Sequence, residues 1–193
     1  MRIVSLLFAC LLWNMTFGQK AVSKEISTLL TEGKPLQEVS LIHFVSNEVT
    51  NRSIPLEGLT KGTIVSIDEV AIEKLLNGNS DFIQLGLPLS ERQNLKLNLV
   101  RHEIFAEDFA LYTSSEPGIP FNYTPGVHYK GVVEGDPSSL VAVSVFNNEV
   151  MALISTGHGN MILGRIDNDR ESRHILYAEN DLDKNSGFEC STP

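Results

Sequence analysis

The stretch Val127-His128-Tyr129-Lys130-Gly131-Val132-Val133-Glu134-Gly135-Asp136-Pro137-Ser138-Ser139-Leu140-Val141-Ala142-Val143-Ser144-Val145-Phe146 holds two short apolar runs parted by a turn signal. In the second run Val141, Val143 and Val145 alternate with Ala142 and Ser144, the period of two that puts one set of side chains on a buried strand face. Gly131 and Gly135 permit a tight strand and turn, and Pro137 fixes φ in that turn. The reading is strand, turn, strand.

The same signature extends in both directions. Upstream, Leu95, Leu97 and Leu99 alternate with Lys96 and Asn98. Downstream, Glu149–Ser155, Met161–Ile166 and His174–Tyr177 are short runs broken by Asn-Asn and Gly-His-Gly-Asn. Asn147-Asn148 suits a two-residue hairpin, because asparagine tolerates the positive φ such turns favour. Residues 91–178 are therefore expected to form a β-rich, meander-like core.

Residues 19–90 read as mixed. Val22, Ile26, Leu29 and Leu30 make a helical stripe over Ala21–Glu32 that stops at Gly33 and Pro35. Val39–Val45 and Gly62–Ile67 are strand-like, and Ser66 with Glu69 forms a capping-box pattern opening a helix through Leu76, ended by Asn77-Gly78-Asn79. Residues 179–193 are polar, with little to bury, and read as an exposed linker. The fold class expected is α+β, mainly antiparallel β.

At the N-terminus, Met1 and Arg2 precede the apolar run Ile3–Trp13, which is shorter than the about 18–20 residues of a membrane span. Phe17-Gly18 then offers a small residue for cleavage before Gln19, so residues 1–18 read as a signal peptide. The expected destination is secreted, extracellular or periplasmic, with no transmembrane segment. A rival reading takes Leu7-Phe8-Ala9-Cys10 as a lipoprotein box, but the stretch before Cys10 is very short and the apolar run continues past it. Cleavage leaves about 175 residues, enough for one ordinary domain or two small ones. Cys190 is then the one cysteine left, so no internal disulfide can form. The net charge of −9 becomes one unit more negative without Arg2, and no Lys/Arg cluster suggests nucleic acid or anionic membrane as a partner.

Catalytic patterns fail on inspection. His102-Glu103-Ile104-Phe105-Ala106 begins like the zinc-protease pattern H-E-x-x-H, but alanine stands where the second histidine is needed. Asp181, Asp183 and Asn185 alternate like the start of a calcium loop, yet Ser186 holds the glycine position and Thr192 that of the closing carboxylate. There is no G-x-S-x-G elbow, and His43, His102, His128, His158 and His174 lack metal-ligand spacing. Asn51-Arg52-Ser53 and Asn122-Tyr123-Thr124 are glycosylation sequons for a host that glycosylates exports. The chain is expected not to be an enzyme.

The segment Tyr129-x-Gly131-x-Val133-x-Gly135, followed by serine and the alternating strand through Ser144, resembles a segment of reprolysin-type (adamalysin/ADAM-type) zinc metalloprotease propeptides. Leu95-x-Leu97-x-Leu99, Ile104-Phe105-Ala106-x-Asp108-Phe109-x-x-Tyr112, Leu153-Ile154 and His174-Ile175-Leu176-Tyr177 follow that family's order. Phe146-Asn147-Asn148-Glu149 departs from it, standing where the family often has a cysteine and then glycines. The resemblance implies a secreted propeptide that assists folding and maintains latency of a reprolysin-like zinc metalloendopeptidase, normally in the same precursor. Residues 179–193 would then lead toward the catalytic domain. No cofactor is implied for this chain; zinc belongs to the catalytic domain, with Cys190 as an inhibitory ligand to it. The alternative is a stand-alone exported β-rich binding module.

Overall fold

The computed structural model describes residues 17–47 and 58–182, with side chains from residue 21 onward. The leader before Phe17, the first sequon and Cys190 lie outside the described residues. The chain opens with helix α1 (Phe17–Thr31). The helix closes in a left-handed cap: Gly33 has φ 69°, its N–H donates to the Leu30 carbonyl, and the Lys34 N–H donates to that of Leu29. Val22, Ile26 and Leu29 pack with Phe82, Val100 and Val132, whereas Leu30 points to solvent.

One sheet follows, made of β1 (Gln37–Val39), β2 (Ile42–Ser46), β3 (Thr63–Ile67), β4 (Phe82–Pro88), β5 (Asn94–Arg101), β8 (Val127–Val133), β9 (Asp136–Phe146), β10 (Glu149–Thr156), β11 (Gly159–Arg165) and β12 (His174–Ala178). A separate hairpin, β6 (Tyr112–Thr113) and β7 (Glu116–Pro120), is inserted between β5 and β8. Helix α2 (Glu69–Asn77) links β3 to β4. The fold is α+β and mainly antiparallel β, as expected.

From β5 through β8, β9, β10 and β11 to β12 each strand pairs antiparallel with the next, which is the predicted meander. The full order is β1-β4-β5-β8-β9-β10-β11-β12-β3-β2, so strands from residues 19–90 flank the meander on both sides. The edge strands β1 and β2 are joined by Ser40 and Leu41 alone. Three Cα steps span no more than about 11 Å, so the sheet must curl until its edges meet. Asn47 and Thr63 help close the seam by donating to the Leu89 carbonyl at 3.3 and 2.8 Å. The expected single run Val39–Val45 is therefore broken, its halves lying at opposite edges.

The inward face is the core. Val141, Val143 and Val145 of β9 meet Val150, Ala152 and Ile154 of β10, with Leu97, Leu99, Leu85 and Leu87 opposite. Helix α2 sends Ile72 and Leu75 into the same cluster. Its N-cap is Asp68, whose carboxylate accepts from the Ala71 N–H at 3.0 Å. Ser66 instead sits inside β3, paired with His43, which corrects the capping-box assignment by two residues.

At the β8–β9 turn Gly135 takes φ 81°. Pro137 lies beyond it, within β9, where the register slips. The Asn147-Asn148 hairpin forms, Phe146 pairing with Glu149, but neither asparagine has positive φ; among described non-glycine residues that conformation falls at Asn168 and Ser172. No helix among the described residues is long and apolar enough to cross a membrane.

Candidate interaction surface

The residues singled out for chemistry do not converge. His102 follows the end of β5, and Glu103 pairs with Arg101 at 2.9 Å. His43 and His158 are exposed, on β2 and in the β10–β11 turn. His174 is fully buried: its Nε2 accepts from the Val150 N–H, and its Nδ1–H donates to the Ser172 carbonyl, each at 3.1 Å. That pair of bonds fixes a neutral imidazole, and burial lowers its pKa. Asp181 closes a short 3-10 turn, while Asp183 and Asn185 lie outside the described residues. Among the described residues no group of three His, Cys, Asp or Glu side chains is placed to hold a metal ion.

What the chain does assemble is an arm. Residues 102–126 leave β5 at one end of the barrel and return into β8. The root is a backbone bond from the His102 N–H to the His128 carbonyl at 2.8 Å. Phe105 is the anchor: its ring stands 4.4 Å from Phe109, 6.2 Å from Tyr123 and 5.9 Å from His128, which in turn lies 5.9 Å from Phe146. These tilted and edge-on contacts suit the ring quadrupoles and bind the arm to the outer face of β8 and β9. His128 Nδ1 is 2.9 Å from the Ser144 hydroxyl, and its Nε2 is buried with no hydrogen-bond partner. Burial also pushes its pKa down, opposed by Glu103.

Beyond that anchor the arm is bare. Ile104, Phe109, Tyr112, Ile119 (62% exposed) and Phe121 (54%) all face water. Large apolar side chains grouped on one short segment are what a contact surface needs and a solvated loop does not. The arm contains four acidic residues, Glu103, Glu107, Asp108 and Glu116, and no Lys or Arg. Beneath it a cleft of about 430 Å³ is lined by Glu69, Glu73 and Leu76 of α2, Thr124 and Pro125 of the arm and Asn147 of the β9–β10 turn.

Sequence reasoning placed Ile104–Tyr112 by resemblance and did not mark the arm as exposed. The available signal was a 25-residue span between two strands that carries aromatics and prolines but no cation. No protein-family model matches the chain, and no curated protein matches it significantly.

Proposed function

We propose that the chain is the non-catalytic propeptide of an exported reprolysin-like zinc metalloendopeptidase, assisting the folding of the catalytic domain and holding it latent. One observation carries the reading. The glycines of the Tyr129-x-Gly131-x-Val133-x-Gly135 segment fall where the sheet requires them, Gly131 for the close approach of β8 to β5 and Gly135 for its positive φ at the β8–β9 turn. Residues that carry the resemblance thus have scaffold roles, as a shared scaffold would require.

In this proposal Cys190 supplies a thiolate to the catalytic zinc, displacing the water that the protease needs. Glu189 opposes thiolate formation until the metal supplies positive charge. The purified chain is expected to inhibit a reprolysin-type catalytic domain from the organism that encodes it. Cys190→Ser should weaken that inhibition at least about tenfold, roughly 1.4 kcal/mol. Absence of inhibition by the wild-type chain would overturn the proposal, and equal inhibition by both would assign latency to the folded domain alone.

The second reading, an exported β-rich binding module, is favoured by the bare arm. It needs no protease, so an inert chain in the inhibition assay would leave it standing.

A further inference from the structure

We infer that the arm of residues 102–126 is the docking surface for a protein partner that presents apolar pockets ringed by Lys and Arg. The inference rests on surface chemistry and not on the latency proposal. If that proposal holds as well, the catalytic domain is the protein that should carry such a face.

Three observations select this occupant. First, Ile119, Phe121, Tyr112 and Phe109 are exposed on a segment whose base is fixed by Phe105 on His128. The anchors are thus held partly in place before binding, which lowers the ordering cost of association.

Second, the charges are of one sign. Arg101 neutralises Glu103 at the root, but among the described residues Glu107, Asp108 and Glu116 of the arm, and Glu69 and Glu73 of the cleft, pair with no cation. Such a surface repels a second copy of itself and an anionic bilayer, and attracts a basic rim.

Third, main-chain pairing is blunted. Pro117 and Pro120 remove two N–H groups from β7, every residue of which is exposed, so the two-stranded hairpin is a poor template for a third strand from a partner. Recognition falls to side chains, in the manner of aromatic anchors entering pockets inside a polar rim.

The test uses the full chain and three 15-residue fluorescent peptides: one alternating Lys/Arg with Leu/Phe, one with Glu replacing the basic residues, and one with Ser replacing the apolar residues. Polarisation titrations should show the first binding at least tenfold more tightly than either other, with affinity falling at least tenfold from 50 to 500 mM salt, as expected for exposed charges screened by salt. Ile119→Asp with Phe121→Asp should weaken it at least tenfold. Both positions are exposed, so the fold should survive, which circular dichroism checks. The two added carboxylates would strengthen simple charge attraction, so a loss isolates the apolar contacts. No preference among the peptides, or undiminished binding by the double variant, overturns the inference. Sedimentation showing a wild-type dimer that the double variant abolishes would make the arm a self-interface and overturn it too. Wild-type binding to phosphatidylcholine vesicles that the variant loses would do the same in favour of a membrane contact.

Discussion

Gly131 on β8 lies so close to Asn98 on β5 that a β-carbon there would overlap the Asn98 carbonyl and stand 2.9 Å from the Leu99 Cα. The obstruction is backbone on a neighbouring strand of the same sheet, so no side-chain rotation relieves it. Gly131→Ala is expected to cost about 3 kcal/mol, the upper end of overpacking penalties, in urea unfolding. Gly135→Ala meets nothing within 4 Å and pays only for its φ of 81°, about 1–2 kcal/mol. A Gly131→Ala loss no larger than that of Gly135→Ala would disprove the close approach.

Ser139 repairs the slipped register that follows that turn. The pairing jumps from Gly131↔Val141 to Val133↔Asp136, which leaves the Val133 N–H without a strand partner. The buried Ser139 hydroxyl accepts it at 2.8 Å and donates to the Asp136 carbonyl at 2.6 Å. Ser139→Ala orphans a buried N–H and should cost about 1–3 kcal/mol. Ser138→Ala, which loses only an exposed bond to the Asp136 carboxylate, should change stability little. Equal effects of the two in thermal unfolding would remove the special role of Ser139.

The meander was legible because its strands bury one face and keep the period of two. Strand β4 keeps that period in Ile83, Leu85 and Leu87, with Gln84 and Gly86 between them, but its other signals obscure it. Phe82 adds an apolar residue out of phase because it packs under α1, and Gly86 and Pro88 are residues that sequence reasoning assigns to loops. Gln84 looks solvent-facing in sequence yet is buried, bonded to Asn98 and Glu134. The break of Val39–Val45 across the two sheet edges was equally hidden, since closure depends on pairing partners distant in the chain. Of the candidate surface, the anchor Phe105 figured in sequence only within a failed H-E-x-x-H fragment and a resemblance, neither of which marks an anchor. Exposure of Ile119 and Phe121 depends on a hairpin that two prolines disguise.

Buried His174 gives stability an acid limit. Its folded pKa is lowered from 6.5, first by burial and then by Arg165, against the raising effects of the Ser172 carbonyl bond and Glu149. The unfolded chain therefore binds the proton first. Stability from this residue is full above pH 6.5 and is lost as pH falls toward and through the lower folded value. His128, shifted the same way, adds to the slope. Urea midpoints should fall between pH 7.5 and 5. Asp169, held down to about 2 foremost by its hydrogen bond from Arg173, adds a separate loss as pH falls from 3.8 through 2. In His174→Phe the overall stability should drop and the slope between pH 7.5 and 5 should flatten; an unchanged slope would exclude His174 as its source.

The start of α2 separates two readings of the same residues. A box built on Ser66 would place the cap inside β3, where that residue already pairs with His43 and its backbone belongs to the sheet. Asp68 has extended dihedrals, φ −90° and ψ 104°, and its carboxylate accepts from the third residue of the helix, Ala71. Its negative charge also faces the positive end of the helix dipole. Asp68→Ala should therefore cost about 1 kcal/mol. Ser66→Ala should cost less than half of that. The helix carries Ile72 and Leu75 into the core, so a loosened first turn should also speed hydrogen exchange at Ile72, whose N–H donates to the Asp68 carbonyl at 2.9 Å. A larger loss from Ser66→Ala, with exchange at Ile72 unchanged in Asp68→Ala, would restore the capping box.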